Sequence, residues 1–370
     1  MSVVMRAARI GLATLVVAVV AVIAALTVFR GGTPAIRDAS GRAVPGMIAQ
    51  VEWLTLGGAR QAVLIRGADT TRPVVLFLHG GPGAPTMYLA HAFQRPVEND
   101  FVAVQWDRRG AGKSYSARRP EESLTVRRTL ADLYELTAWL RTRFHQDRIY
   151  LVAHSWGTYL GLLAVAEHPE WYRAYVGMGQ MVPDTATSHA VRNRLISDEA
   201  RRRGDTALVA RLSGPHPAVT ENEIFAMGAE LRSATSFWPL LRTGLLAPEY
   251  SLLDAWNVQR GAQLLGDAFA RAGGPPMLAA HHSLSVPLFL FLGRYDYNTP
   301  SAPSASYLDS LDAPVKGVVW FENSAHFPFF EEPGRFRAEL RRVDSIASAY
   351  WAGSQVTLRA LRSDGTPSRR

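Results

Sequence analysis

Cysteine is absent from this sequence. Its absence excludes disulfide scaffolds, cysteine nucleophiles, iron–sulfur clusters and thiolate zinc sites at once. Metal-binding histidine spacing is missing as well at His281-His282, which lacks an H-E-x-x-H interval and reads as a solvated or lid-packing pair. There is no internal repeat and no long low-complexity tract. Charge is sparse, at 19% of residues against 48% hydrophobic, a globular balance that excludes wholesale disorder. Acids are missing from residues 1–37, which carry four arginines, and residues 335–370 carry eight arginines against three acids. These ends account for the formal net charge of +8 and leave the body close to neutral. A nucleic-acid-binding body is therefore not expected.

What is present begins with an apolar run. Ile10 to Phe29 holds no charge, with Arg6 and Arg9 before it and Arg30 after it. A helix of that length rises about 30 Å, one bilayer core. The run exceeds the h-region of a cleaved signal peptide, and only Thr33-Pro34-Ala35 resembles a cleavage site. The expectation is an N-terminal transmembrane helix over residues 1–30 acting as a signal anchor. It would hold the body of the chain outside the cytoplasm. Secretion after signal cleavage is the alternative.

The 370 residues suit one large α/β domain with an insertion. Residues 31–45 read as a linker, rich in Gly, Pro and small polar residues. Ile48–Leu56 and Ala59–Arg66 alternate around Gly57-Gly58, which predicts a β-hairpin. Short apolar runs follow at Val74–Leu78, Val102–Trp106, Ile149–Ala153, Tyr175–Met178, Leu288–Leu292 and Val318–Phe321. They suit buried parallel strands. Helical periodicity lies between several of them, most plainly in Leu130, Leu133, Leu136, Leu140 and Phe144. The expected core, residues 46–182 and 286–352, is a mostly parallel sheet with helices on both faces. Residues 183–285 break the rhythm and read as an inserted helical lid, with breakers at Gly214-Pro215 and Gly273-Gly274-Pro275-Pro276. Phe336–Trp351 reads as a helix over the last strand, and residues 353–370 as a basic tail.

Chemistry concentrates just after the strands. Ile149–Ala153 runs into His154-Ser155-Trp156-Gly157 and then a helix-like stretch, as a strand–turn–helix nucleophile requires. Ala153 stands where the G-x-S-x-G pattern has its first glycine. A serine needs a base to take its proton, and the base needs an orienting carboxylate. His326 lies beyond the last strand, and Asp296 follows Leu288–Leu292. The order Ser155, Asp296, His326 is that of an α/β-hydrolase sheet. Asp184, after Tyr175–Met178, is the reserve carboxylate. The glycines of His79-Gly80-Gly81-Pro82-Gly83 let backbone N–H groups approach a substrate. The oxyanion hole is assigned to the N–H groups of Gly81 and Trp156.

These motifs resemble the proline iminopeptidase-like branch of the α/β-hydrolases. The likeness rests on His79-Gly80-Gly81-Pro82-Gly83, the Asp107–Ser114 loop and His154-Ser155-Trp156-Gly157, and covers roughly residues 45–345. It implies an α/β-hydrolase fold, hydrolysis through an acyl-enzyme, and often removal of an N-terminal proline. It also implies lid glutamates that grip the substrate amine, for which the lid offers Glu223, Glu230 and Glu249. Members usually carry Gly-Gly before the Ser-Trp-Gly, where this chain has Ala153-His154. Trp238 and Glu249 are taken as the substrate-binding candidates, and lid core is the competing role for Trp238 and Trp256.

Other readings draw on the same residues. Gly110-Ala111-Gly112-Lys113-Ser114 imitates a phosphate loop, but Asp107 stands where that motif needs a glycine. His154 reads as packing beside the nucleophile. A carboxylesterase or lipase-like enzyme would use the same machinery. A non-catalytic ligand-binding protein on a hydrolase scaffold stays open, since fold alone does not dictate function. An epoxide hydrolase or dehalogenase would need an aspartate where Ser155 stands. The expected substrate is a small molecule or short peptide. No cofactor, metal or nucleic acid is expected, and the oligomeric state stays open.

Overall fold

In the computed structural model, residues 3–28, 31–116, 124–215, 217–271 and 281–354 are described. Gly273-Gly274-Pro275-Pro276 and most of the basic tail lie outside them. Eight strands form one sheet in the order β1-β2-β4-β3-β5-β6-β7-β8. β1 (Ile48–Leu56) and β2 (Ala59–Gly67) make the expected hairpin across Gly57-Gly58. β2 also pairs antiparallel with β4 (Val102–Asp107), and every later pairing is parallel. β3 (Val74–Leu78), β5 (Ile149–His154) and β7 (Leu288–Gly293) are buried at every residue. Their Val, Ile, Leu and Phe runs carry no polar alternation because helices cover both faces. β6 (Tyr172–Met178) and β8 (Lys316–Phe321) begin earlier than their apolar runs. Parallel pairing with a neighbour extends a strand past the point where its side chains turn polar.

On one face, α3 (Val126–Arg143) and α4 (Trp156–Glu167) pack on the sheet. α3 buries Leu130, Leu133, Leu136 and Leu140, one stripe at helical spacing. Thr125 caps it by accepting from the Arg128 N–H at 3.1 Å. On the other face lie the short α2 (Ala90–Phe93) and the helices that end the chain. α10 (Ser301–Ser310) joins β7 to β8. α11 (Pro328–Glu331) and α12 (Pro333–Trp351) follow β8. Between β6 and β7 the chain makes α5 (Thr185–Arg203), α6 (Thr206–Leu212), α7 (Glu221–Ala226), α8 (Trp238–Leu246) and α9 (Leu252–Arg271).

The N-terminal expectation needs correction. α1 runs Val3–Val28, and its described side chains are Met5 and those of residues 9–24. Among the described residues, no helix is long and apolar enough to cross a membrane. The transmembrane helix, and the membrane as a partner through it, are therefore not supported. Within the linker, Thr33 is held by the body, since its hydroxyl donates to Glu249 Oε1 at 2.8 Å.

Candidate active site

In an open parallel sheet, functional loops gather at the carboxyl ends of the strands. Here β3, β5, β7 and β8 deliver His79–Gly83, Ser155, Asp296 and His326 to that edge. Ser155 sits between β5 and α4 with φ 52° and ψ −126°, a backbone conformation that side chains other than glycine rarely adopt. The turn is imposed from both sides. The Ser155 N–H donates to the Met178 carbonyl at 2.8 Å, and the Thr158 hydroxyl donates to the Ser155 carbonyl at 2.6 Å. A Cβ on Gly80 would lie 2.7 Å from the Ser155 Cβ, so the β3 loop approaches closely only because Gly80 has none.

His326 Nδ1 lies 2.8 Å from Asp296 Oδ2, and each residue is 2% exposed. Asp296 Oδ1 accepts the Thr299 N–H at 2.8 Å, which fixes the carboxylate. The His326 N–H donates to the Glu230 carbonyl at 3.0 Å, and its own carbonyl meets His154 Nε2 at 2.8 Å. The two imidazoles lie 4.6 Å apart, centre to centre. Their protonation is driven in opposite directions. Burial, with His326 beside it, holds His154 well below the usual histidine range. Burial also pulls His326 down, but the charges of Asp296 and Glu230 outweigh it and push His326 up to about 9. His154 is thus a neutral ring donating from Nε2–H.

A cavity of about 550 Å³ opens above these groups. Gly80, Gly81, His154, Ser155 and His326 form its floor, and Ile224, Phe225, Phe237 and Leu240 add apolar walls from the lid. Glu221 and Glu230 also line it. Asn298 Nδ2 donates to Glu230 Oε2 at 2.8 Å. Withdrawal from water, opposed by the charge of His326 and reinforced by that of Asp296, pushes Glu230 up to about 7. Trp156 is the first residue of α4, so its N–H has no intrahelical acceptor. Among the described residues no His, Asp and Glu side chains gather as metal ligands.

Ser155, Asp296, His326, Gly81 and Trp156 thus meet at one edge of the sheet. The other candidates lie elsewhere. Asp184 caps α5 by accepting the Thr187 N–H at 2.9 Å, away from His326. Trp238 is 59% exposed and does not line the cavity. Glu249 is fully buried against Thr33, also outside the cavity lining. The phosphate-loop imitation is a structural turn, with the Lys113 N–H donating to Asp107 Oδ2 and its Nζ pairing with Asp254 at 2.7 Å. Sequence reasoning missed Glu221 and Asn298 and left Glu230 among three lid glutamates. The position of Asn298, two residues past Asp296, was the one local signal.

Comparison with known proteins agrees with this architecture. Residues 73–333 match the family model described as alpha/beta hydrolase fold. The probable aminopeptidase YbaC of Bacillus subtilis (strain 168) is 31% identical over 309 residues, covering 80% of this chain and 96% of the relative. The proline iminopeptidase of Heyndrickxia coagulans is 24% identical over 276 residues, covering 72% of this chain and 88% of its own length. The crystal structure of a proline iminopeptidase-related protein from Thermus thermophilus superposes with a TM-score of 0.55 at 19% identity. That match covers 81% of this chain and 98% of the other.

Proposed function

The chain belongs to the α/β-hydrolase family, in its proline iminopeptidase-like branch, and is a hydrolase; from that premise we propose an aminopeptidase. It releases a small N-terminal residue, proline among them, from short peptides. Glu230 is the observation that carries this reading. It is a carboxylate on the wall of the cavity that holds Ser155, with Asn298 bound to it and no Lys or Arg paired with it among the described residues. Beyond the charge of His326, which opposes the effect of burial on Glu230, a substrate's free ammonium group supplies a direct positive partner, and pairing with it keeps Glu230 ionised.

In this mechanism Ser155 Oγ attacks the carbonyl carbon while His326 Nε2 takes its proton. Asp296, 2.8 Å from Nδ1, orients the ring and stabilises the imidazolium. The tetrahedral oxyanion rests on the N–H groups of Gly81 and Trp156. His326 then returns the proton to the leaving amine as the C–N bond breaks. Water, deprotonated by His326, attacks the acyl-enzyme and frees the acid.

The test assays the full chain against prolyl and alanyl arylamides beside p-nitrophenyl esters, with Ser155→Ala as the blank. Arylamide turnover lost in Ser155→Ala is expected. Ester turnover alone would keep the nucleophile and replace the peptidase with an esterase. Turnover that survives Ser155→Ala would overturn the mechanism.

A further inference from the structure

Arg108 follows β4 and is 1% exposed, yet it pairs with no carboxylate among the described residues. A buried cation without a counter-ion is costly and persists only where other groups stabilise it. Its partners are backbone carbonyls of the β3 loop and the His79 ring, whose Nδ1 lies 3.0 Å from Arg108 Nη2. Arg108 Nη2 donates to the Pro82 carbonyl at 2.7 Å and to the Gly80 carbonyl at 3.2 Å. His79, held neutral by burial and by Arg108, lies alongside, with Nδ1 3.0 Å from the Gly80 carbonyl. The Arg108 guanidinium also lies over the Trp156 indole, 4.8 Å from its centre. Burial pulls Arg108 down to about 9, so it remains charged at neutral pH.

These contacts bear on the oxyanion donors. The Gly80 carbonyl and the Gly81 N–H belong to one trans peptide plane and point in opposite directions. A guanidinium beneath the carbonyl therefore turns the Gly81 N–H the other way, toward the cavity that Gly80, Gly81 and Ser155 line. A cationic donor on the carbonyl also polarises that peptide, which strengthens its N–H as a donor.

We propose that Arg108 is the positioning residue of the oxyanion hole, holding the Gly80–Pro82 loop and Trp156 so that both backbone donors converge above Ser155. The inference rests on the serine-hydrolase reading given above. The test uses the full chain with Arg108→Met and Arg108→Lys, and Ser155→Ala in parallel. Arg108→Met should lower arylamide kcat about 100-fold, the scale of losing an oxyanion donor, and leave KM within about twofold. Arg108→Lys, which keeps the charge without the planar fork, should recover part of the loss. Affinity for phenylboronic acid, which forms a tetrahedral adduct with serine, should fall in step with kcat/KM. The melting temperature should hold or rise, because methionine buries no unpaired charge.

Unchanged kcat and boronate affinity in both variants would overturn the proposal. So would a fall in melting temperature with KM alone affected, the pattern of a merely structural residue. If Arg108→Met does not fold, Arg108→Lys decides on the same two readouts. Turnover that survives Ser155→Ala overturns the serine-hydrolase reading itself. A dead Ser155→Ala beside wild-type rates in the Arg108 variants sinks only the role of Arg108.

Discussion

The floor of the cavity is built from strand ends and its roof from short helices, and the two are held differently. Under the floor, β3, β5 and β7 are buried throughout, and their parallel register leaves each following loop little freedom. Ser155, Asp296 and His326 inherit that rigidity. Part of the roof packs on a small cluster around Ile196, Ala200, Leu208 and Ile224, while Phe225, Leu240 and Tyr250 join the main core, and its surface carries ion pairs such as Arg201 with Asp198. Exposed pairs of that kind contribute little, about 0–1 kcal/mol. Large apolar side chains on α8 and α9, including Trp238, Leu246 and Trp256, face outward. On the proposed function, reaction chemistry, which demands fixed geometry, sits on the sheet, and selection, which tolerates adjustment, sits on the lid.

Glu230 crosses that division. It belongs to the lid, yet its carbonyl accepts the His326 N–H at 3.0 Å, and Ser233, three residues on, bonds Glu331 at 2.9 Å through both N–H and hydroxyl. This piece of roof is pinned to the floor, which makes Glu230 a fixed charge in an otherwise adjustable wall.

The contrast can be broken at the floor first. Ser155→Ala should reduce turnover about 10⁶-fold while the melting curve stays put, because the side chain lost is the nucleophile and packs little. Asp296→Asn should reduce kcat about 10⁴-fold, since the amide stabilises the wrong tautomer of His326. Comparable losses from lid substitutions would erase the distinction. At the pinned point, Glu230→Gln should lower kcat/KM for free-amine arylamides about 10- to 100-fold, the scale of a lost charged hydrogen bond.

The same variant has a pH signature. His326 acts as a base only when neutral, and it is pushed up to about 9, so kcat/KM should climb through a limb near that pH. Removing the Glu230 charge destabilises the imidazolium, lowers that pKa and moves the limb to lower pH. A limb that stays fixed would mean Glu230 does not act on His326. The smallest effects belong to the outer roof. Trp238→Ala should leave kcat/KM within about twofold, and Glu249→Leu, which removes the acceptor of the Thr33 hydroxyl, should cost about 1 kcal/mol of stability without touching turnover.

Legibility in the sequence follows the same line. The placement of Ser155, Asp296 and His326 at one edge of the sheet was legible because each lies within a few residues after a buried apolar run, a local signal. The strands themselves were legible for the same reason, though β6 and β8 start earlier than their apolar cores. The carboxylate of Glu230 meets Asn298 across 68 residues of sequence, and nothing local announces that encounter. Trp238 and Glu249 misdirect because an aromatic on a lid helix can face either way and a glutamate can be buried by an unexpected partner, here Thr33 of the linker. Hydropathy read the apolar run after Ile10 as a span, whereas no described helix is long and apolar enough to cross a membrane. Arg108 gave no signal of its contacts, since two of its partners are backbone carbonyls, which carry no residue identity, and the others, His79 and Trp156, lie far from it in sequence.

The most direct measurement compares kcat/KM for alanyl arylamide with a free amine against the same compound acetylated at nitrogen. Both should be run with the wild-type chain and with Glu230→Gln. The account predicts that the wild type strongly prefers the free amine and that Glu230→Gln removes most of that preference. Equal turnover of the two substrates by the wild type would contradict it.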